Sequence, residues 1–387
     1  MKKTLYKTLC SGDKKNDIQF PSFRDTNKHK SKTFQNETLQ DLFYAIDYTG
    51  KGKAIPGTDI KLIVLPRGEH LTANDYDDFL EKRNEAKIIA ANETNSQNTI
   101  DPLFDFFTDD EKNITSFDLI FCKKGGISSP DSDLIELSGI KKSKLRQTKE
   151  RIQRISSDIN QERKRFLRTE KDLNPLTIDY SFRCILGNPQ TDTKTGRISY
   201  KPNPKYQSHL LKMVPLIYSD NYSHDEVLLP AFIQNVEFSI RSGDEKFNFL
   251  KFDLKFLYKI QNTKNDRFME ITSSESYQVG FMLGGLAKNL SQEINSFEKN
   301  YVGNLTRRIG TLSDFIKLKN EIEQKLIMHD KTKFTYQTSY DLAQKVKEFK
   351  SRYDKEECAF GFMENYFKPF PKKEVSVQAI TETPENQ

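Results

Sequence analysis

The sequence predicts a mostly α protein with a small α+β N-terminal domain and a C-terminal helical bundle. Three observations carry this. Between 275 and 367, apolar residues recur at steps of three to five in four successive segments. Between 141 and 173, Leu145, Ile152, Ile159, Phe166 and Leu173 fall seven apart within a basic stretch. Only two short β-rich runs stand out, 60–65 and 117–122, and helical patterns lie between and around them.

In chain order, residues 1–35 are polar and basic, with Ile18, Phe20 and Phe23 as local anchors, and read as a basic arm that orders on a partner. Residues 36–175 read as the α+β domain. Leu39, Leu42, Phe43 and Ile46 mark a short helix over 36–48; Gly50, Gly52, Pro56 and Gly57 break it. A strand follows over 60–65, closed by Pro66. Thr72 is placed to cap a helix running to about Ile89. The acidic stretch 91–115 reads as a loop carrying Leu103, Phe104, Phe106 and Phe107, and 117–122 is the second strand. The helix over 141–173 carries a narrow apolar stripe, with Ile155 beside it. Its fourth positions include Thr148, Glu162 and Thr169, so a coiled-coil seam is disfavoured and packing on the same chain is expected.

Residues 185–206 read as a long loop. Helices are expected over 207–220, 224–240 and 246–260 within a helical middle region, 176–268; a hairpin around Ser242-Gly243-Asp244 is the rival reading. The bundle, 269–368, is expected to hold four helices: 275–301, one opening at Ser313, one opening at Thr338–Ser339, and a short aromatic one over 355–367. Residues 369–387 read as a disordered tail.

The composition is polar, 35% hydrophobic against 30% charged, which suits long helices facing water or a polymer. The formal net charge of +6 is unevenly placed. Residues 1–32 hold nine Lys/Arg against three Asp, and residues 141–172 hold twelve against five acids, so the remainder is acidic. Segregated charge creates local fields that attract a polyanion. The four cysteines, Cys10, Cys122, Cys184 and Cys358, form no CxxC pair, which disfavours a zinc ribbon or disulfide scaffold and suits reduced thiols in the cytoplasm. No apolar run approaches the ~20 residues of a membrane span, and no apolar segment follows Met1-Lys2-Lys3 as in a secretory signal.

Chemistry-bearing motifs are sparse. Lys123-Lys124-Gly125-Gly126-Ile127-Ser128 pairs two cations with two glycines, so a backbone can approach a phosphate closely; an ordinary surface turn is the alternative, and the P-loop spacing is absent. His329-Asp330 is the dipeptide that supplies adjacent metal ligands in one phosphohydrolase class, but recognisable partner ligands are lacking. The carboxylate clusters at Asp75, Asp77 and Asp78 and at Asp109, Asp110 and Glu111 do not follow EF-hand spacing. No GxSxG or Cys–His signature occurs. A non-catalytic protein without metal or cofactor is expected.

Gln278-Val279-Gly280-Phe281-Met282-Leu283-Gly284-Gly285-Leu286 opens the bundle, Lys317-Leu318-Lys319-Asn320-Glu321-Ile322 follows, and Phe360-Gly361-Phe362-Met363-Glu364-Asn365-Tyr366 closes it. This order of segments resembles the C-terminal part of the large subunit of type I-B CRISPR Cascade effector complexes. The stretch from Ser116 to Gly126 resembles a strand-plus-loop of the same family. The resemblance covers roughly a third of the chain and implies a non-catalytic antiviral-defence subunit. Such a subunit tests the protospacer-adjacent motif (PAM), holds displaced DNA near the guide RNA, and docks to backbone and cap subunits and to a helicase–nuclease. It implies Lys123, Lys124, Gly125, Gly126 and Ser128 as the PAM loop. From the charge excess of 141–172, phosphate contacts would come from Lys141, Lys142, Lys144, Arg146, Arg151, Arg154, Arg163, Lys164, Arg165 and Arg168, with a solvated charged helix as the alternative. A single-strand path would run along Arg307, Arg308, Lys317 and Lys325. It also implies a small subunit made by internal initiation at Met269, a fragment of 119 residues. Two other readings stand beside it: a helical scaffold or adaptor with no nucleic-acid role, and a metal-dependent nuclease built on His329-Asp330.

Overall fold

The computed structural model describes residues 35–50, 52–55, 58–81, 104, 113–125, 132–171 and 173–369. All but the last residue of the expected basic arm and all but the first residue of the expected tail lie outside these. The fold is mostly α with a small antiparallel sheet, and the chain divides into two compact units, Met1–Ile271 and Thr272–Gln387.

In the first unit, α1 (Asn36–Gly50) precedes a four-stranded meander of β1 (Lys53–Ala54), β2 (Ile60–Gly68), β3 (Ile114–Lys123) and β4 (Ser132–Lys141), each antiparallel to the next. The sequence points to two of these strands. β4 escapes because Gly139, at φ +67°, interrupts its alternation; there the Gly139 N–H donates to Asp118 Oδ1 at 2.7 Å. Nor does Pro66 close β2. It pairs with Phe117, while β1 reaches only Leu62 and Lys61, so among the described residues no strand on the other side of Pro66 needs its N–H. β2 and β3 are buried along most of their length. One face packs Ile63, Leu65, Ile120 and Cys122 against Tyr44 and Tyr48 of α1 and against Tyr76 and Leu80 of a helical stretch over 73–81. That stretch begins with the expected cap: Thr72 Oγ1 accepts the Asp75 N–H, and Asp75 Oδ2 accepts the Thr72 N–H at 2.6 Å.

α2 (Lys142–Leu167) follows β4 directly. It buries Leu145, Thr148, Ile152, Ser156, Ile159 and Arg163 against its own chain. It ends earlier than the sequence suggests, at Arg168, which takes the left-handed conformation at φ 51° and donates its N–H to Arg165 O. α3 (Ile178–Leu186), α4 (Pro204–Tyr218), α5 (Leu228–Arg241) and α6 (Phe247–Lys259) complete the unit, and α7 (Arg267–Ser273) runs across the division after Ile271. Within the expected loop at 185–206, β5 (Asn188–Thr191) and β6 (Ile198–Lys201) form a hairpin. Its turn is closed by Asp192 Oδ1, which accepts the N–H groups of Lys194 and Thr195, and by Gly196 at φ +68°. The rival hairpin near Ser242 is instead the link between α5 and α6. Buried Asn235 places Nδ2 within 3.2 Å of the carbonyls of Cys184, Ile185 and Gly187, supplying partners at the end of α3.

The second unit contains α8 (Glu275–Lys288), α9 (Phe297–Tyr301), α10 (Leu305–Arg308), α11 (Leu312–Met328), α12 (Thr332–Lys347) and α13 (Lys355–Tyr366). The expected first helix of the bundle is divided after Lys288. Asn289 Nδ2 donates back to Gly285 O at 2.9 Å and Ser291 Oγ to Lys288 O at 2.8 Å, so side chains take the last-turn carbonyls and the helix stops. α11 is capped by Thr311 rather than Ser313. α12 begins six residues before Thr338, and its first turns escape a periodicity search because Tyr336 and Tyr340 face solvent. α8 and α13 cross in close contact, with Gly280, Gly284 and Gly361 at the crossing.

Candidate nucleic-acid interface

The expected phosphate-binding residues lie around α2, and the fold sorts them. The apolar stripe of this helix faces the core, so angular position decides each cation's fate. Arg163 lies four residues after Ile159 and seven after Ser156, on the buried stripe. It is 9% exposed and its guanidinium sits 4.9 Å from the centre of the Phe249 ring. Lys144 and Arg151, seven apart, flank the stripe and converge on Asp220 at 2.6 and 2.9 Å; Arg151 also donates to Ile260 O. These three cations have partners within the unit, and the sequence groups them with the other expected phosphate contacts. The missed partner, Asp220, lies in the link after α4 at φ 60°, where periodicity carries no signal. Lys141, Arg146, Arg154, Arg165 and Arg168 are exposed, and Lys142 and Lys164 are half-buried.

Lys123 ends β3, Lys124 follows it, and both are exposed. Lys123 pairs with Ile60 and Ser132 in the sheet, and the Lys124 N–H donates to Asp59 O at 2.6 Å. Gly125 closes the described part of the loop; Gly126 and Ser128 lie outside the described residues. Lys123 and Lys141 stand near opposite ends of β4, whose residues Ser132 and Lys141 pair with Lys123 and Ser116 of β3.

In the second unit, Arg308 and Lys325 share an aromatic partner. The Arg308 guanidinium lies 4.2 Å, and Lys325 Nζ 5.7 Å, from the centre of the Tyr301 ring, which stacks on Phe297 at 4.5 Å. Glu321 accepts from both Tyr301 and Arg308. Arg307 is exposed, and Lys317 is 75% exposed with Asp314 at 3.0 Å. Thus Arg308 and Lys325 form one cluster, and among the described residues Lys317 pairs instead with Asp314.

No family model matches the chain, and no curated protein or solved structure proved similar to it. Among the described residues, no group of three or more His, Cys, Asp or Glu side chains is arranged to hold a metal ion. His329 caps the C-terminal end of α11, and Asp330 adopts φ 58° in the turn that follows. No helix among the described residues is long and apolar enough to cross a membrane.

Sequence reasoning missed a concave site in the first unit. Tyr180, Arg183 and Cys184 of α3, Ile198, Ser199 and Tyr200 of β6, Lys246, and Phe249 of α6 line a cavity of about 410 Å³. Elsewhere in the same unit, Asp253 is fully buried and accepts from Ser181 Oγ at 2.8 Å. Burial pushes the Asp253 carboxyl up to about 6, against the opposing pull of the Ser181 hydroxyl and the Arg163 charge. Burial also raises the Cys184 thiol well above its usual range, so it is not poised as a nucleophile.

Proposed function

We propose that the chain is a non-catalytic, nucleic-acid-binding large subunit of a type I-B CRISPR surveillance complex, working in the cytoplasm. The observation that carries the nucleic-acid part is the charge on α2. Its apolar stripe is used by the core, and Arg146, Arg154, Arg165 and Arg168 remain exposed on a segment with twelve cations against five acids. Such an excess cannot be neutralised by pairing along the helix and suits a phosphate backbone, which binds through counterion release. The CRISPR part rests on the resemblance of the bundle segments and of the loop at Lys123 and Lys124. In this reading that loop tests the PAM, α2 grips the duplex, Arg307, Arg308, Lys317 and Lys325 guide the displaced strand, and guide RNA pairing reads the target. Backbone and cap subunits and a helicase–nuclease are the protein partners. Initiation at Met269 would yield the second compact unit almost alone, a reading supported by the division of the chain between Ile271 and Thr272.

The test is affinity purification of the tagged protein from its native host with sequencing of co-purifying RNA. Repeat–spacer RNAs with repeated backbone subunits are the expected result; protein free of RNA overturns the reading. One observation favours an adaptor instead: Ile327, Met328, Tyr336 and Tyr340 are exposed around the α11–α12 turn, with Met328 at 79%. Recovery of unrelated protein partners, lost on Tyr336→Ser with Tyr340→Ser, is the outcome that reading expects.

A further inference from the structure

We propose that the cavity between α3, the β5–β6 hairpin and α6 binds one nucleoside monophosphate unit, its base against Tyr180 and Phe249 and its phosphate between Arg183 and Lys246. The volume, about 410 Å³, falls in the usual range for small-ligand sites, about 300–1,000 Å³. Tyr180 and Phe249 are large aromatic residues left 38% and 36% exposed in a unit that buries most others. Each already carries a guanidinium on its ring, Arg183 at 5.3 Å from the Tyr180 centre and Arg163 at 4.9 Å from the Phe249 centre. Aromatic surfaces polarised in this way accept a further flat ring by stacking, the means by which proteins hold unpaired bases without reading sequence.

The polar groups fit the rest of such a ligand. Arg183 and Lys246 come from different elements and place two cations on the cavity wall. Lys246 Nζ pairs with Asp244 at 2.8 Å, and Asp244 also accepts the Ile198 N–H at 2.9 Å, which fixes the lysine beside the hairpin. Tyr200, on the cavity wall, has a buried Oη with no hydrogen-bond partner among the described residues. Buried polar atoms left unsatisfied are uncommon and point to a group that completes them.

This site is separate from the α2 face and does not depend on it. The same ligand chemistry has two sources, a free mononucleotide or one unit of a single strand. The full-length protein would be irradiated with bromouridine monophosphate, and separately with a single strand carrying one bromouridine, and crosslinked peptides mapped by mass spectrometry. The expected result is crosslinking to peptides holding Tyr180 or Phe249. Crosslinks with both probes identify a free-nucleotide site; crosslinks with the strand alone identify a strand-binding site. Arg183→Gln with Lys246→Gln should lower the yield by about tenfold or more, the effect of losing charged hydrogen bonds. Should that variant fail to fold, the map on the unaltered protein decides. Crosslinks absent or confined to other peptides overturn the proposal, as does an undiminished yield in the folded variant. Duplex binding by α2, measured separately, can fail without altering these crosslinks.

Discussion

The crossing of α8 and α13 tolerates no side chain at three of its glycines. A Cβ added at Gly284 would stand 2.1 Å from Phe362 O, one at Gly280 2.0 Å from Cys358 O, and one at Gly361 2.2 Å from Tyr277 O. Carbon–oxygen contacts settle at about 3.3 Å, so Gly284→Ala must part the backbones by about 1.2 Å. A gap of that size forfeits about half of the dispersion attraction along the seam. It also strains the hydrogen bonds from Tyr277 Oη to Glu364, 2.5 Å, and from Asn365 Nδ2 to Phe281 O, 2.7 Å. Overpacking at the upper end of its range with this loss, less the ~1 kcal/mol alanine gains as a helix former, leaves a net cost of about 3 kcal/mol. Cys358 supplies the assay. Its side chain lies wholly within the crossing and burial pushes its thiol up to about 12, so it reacts only when the unit opens. Pulsed alkylation read by mass spectrometry should therefore show Cys358 labelled about 100-fold faster in Gly284→Ala. Cys122 and Cys184 in the other unit serve as internal references. Gly285→Ala is the control. Its Cβ meets only the side-chain amide of Asn365, at 2.6 Å, and the lost hydrogen bond is offset by helix propensity, so labelling should hardly change. If Gly284→Ala labels Cys358 no faster than the parent, the close-packing argument is wrong.

Asp253 should make the first unit more stable as the pH falls. Its folded pKa of about 6 exceeds the unfolded value near 3.9, so the folded state binds more protons between those values, and stability rises from neutral pH down to about 4. Asp253→Asn should remove this slope and stabilise the unit at pH 8 by roughly 3 kcal/mol, read by denaturant titration across pH. Asn235→Ala leaves the carbonyls of Cys184, Ile185 and Gly187 without this donor and should cost about 1–3 kcal/mol in the same titration. Replacing Arg154, Arg165 and Arg168 together by Gln should reduce the salt slope of duplex binding by about 2.7, whereas Arg163→Gln should leave it unchanged. Charge reversal at Lys123 and Lys124 should lower PAM-dependent binding while binding to other duplexes persists, a comparison made at fixed salt by gel shift.

Helical periodicity and β-rich runs made much of the architecture legible. Leu145, Ile152 and Ile159 announced a helix packed on its own chain, and they are buried. Phe315, Leu318, Ile322 and Leu326 marked the face of α11 in the same way. Element ends were less legible, because polar side chains such as Asn289 and Ser291 stop α8 by local hydrogen bonds that leave the apolar spacing intact.

By itself the sequence determined the mostly α class, the unequal distribution of charge and the position of each cation along its helix. Tertiary structure alone decided which cations face solvent. Lys144 and Arg151 meet Asp220 from a distant link, and Arg163 turns beneath Phe249, since charge is neutralised through space rather than along the chain. It likewise gathered Tyr180, Tyr200, Lys246 and Phe249 from separate segments into one cavity, and gave Gly280, Gly284 and Gly361 their role. A glycine is required there because of the backbone opposite, and local sequence carries no record of what packs against it.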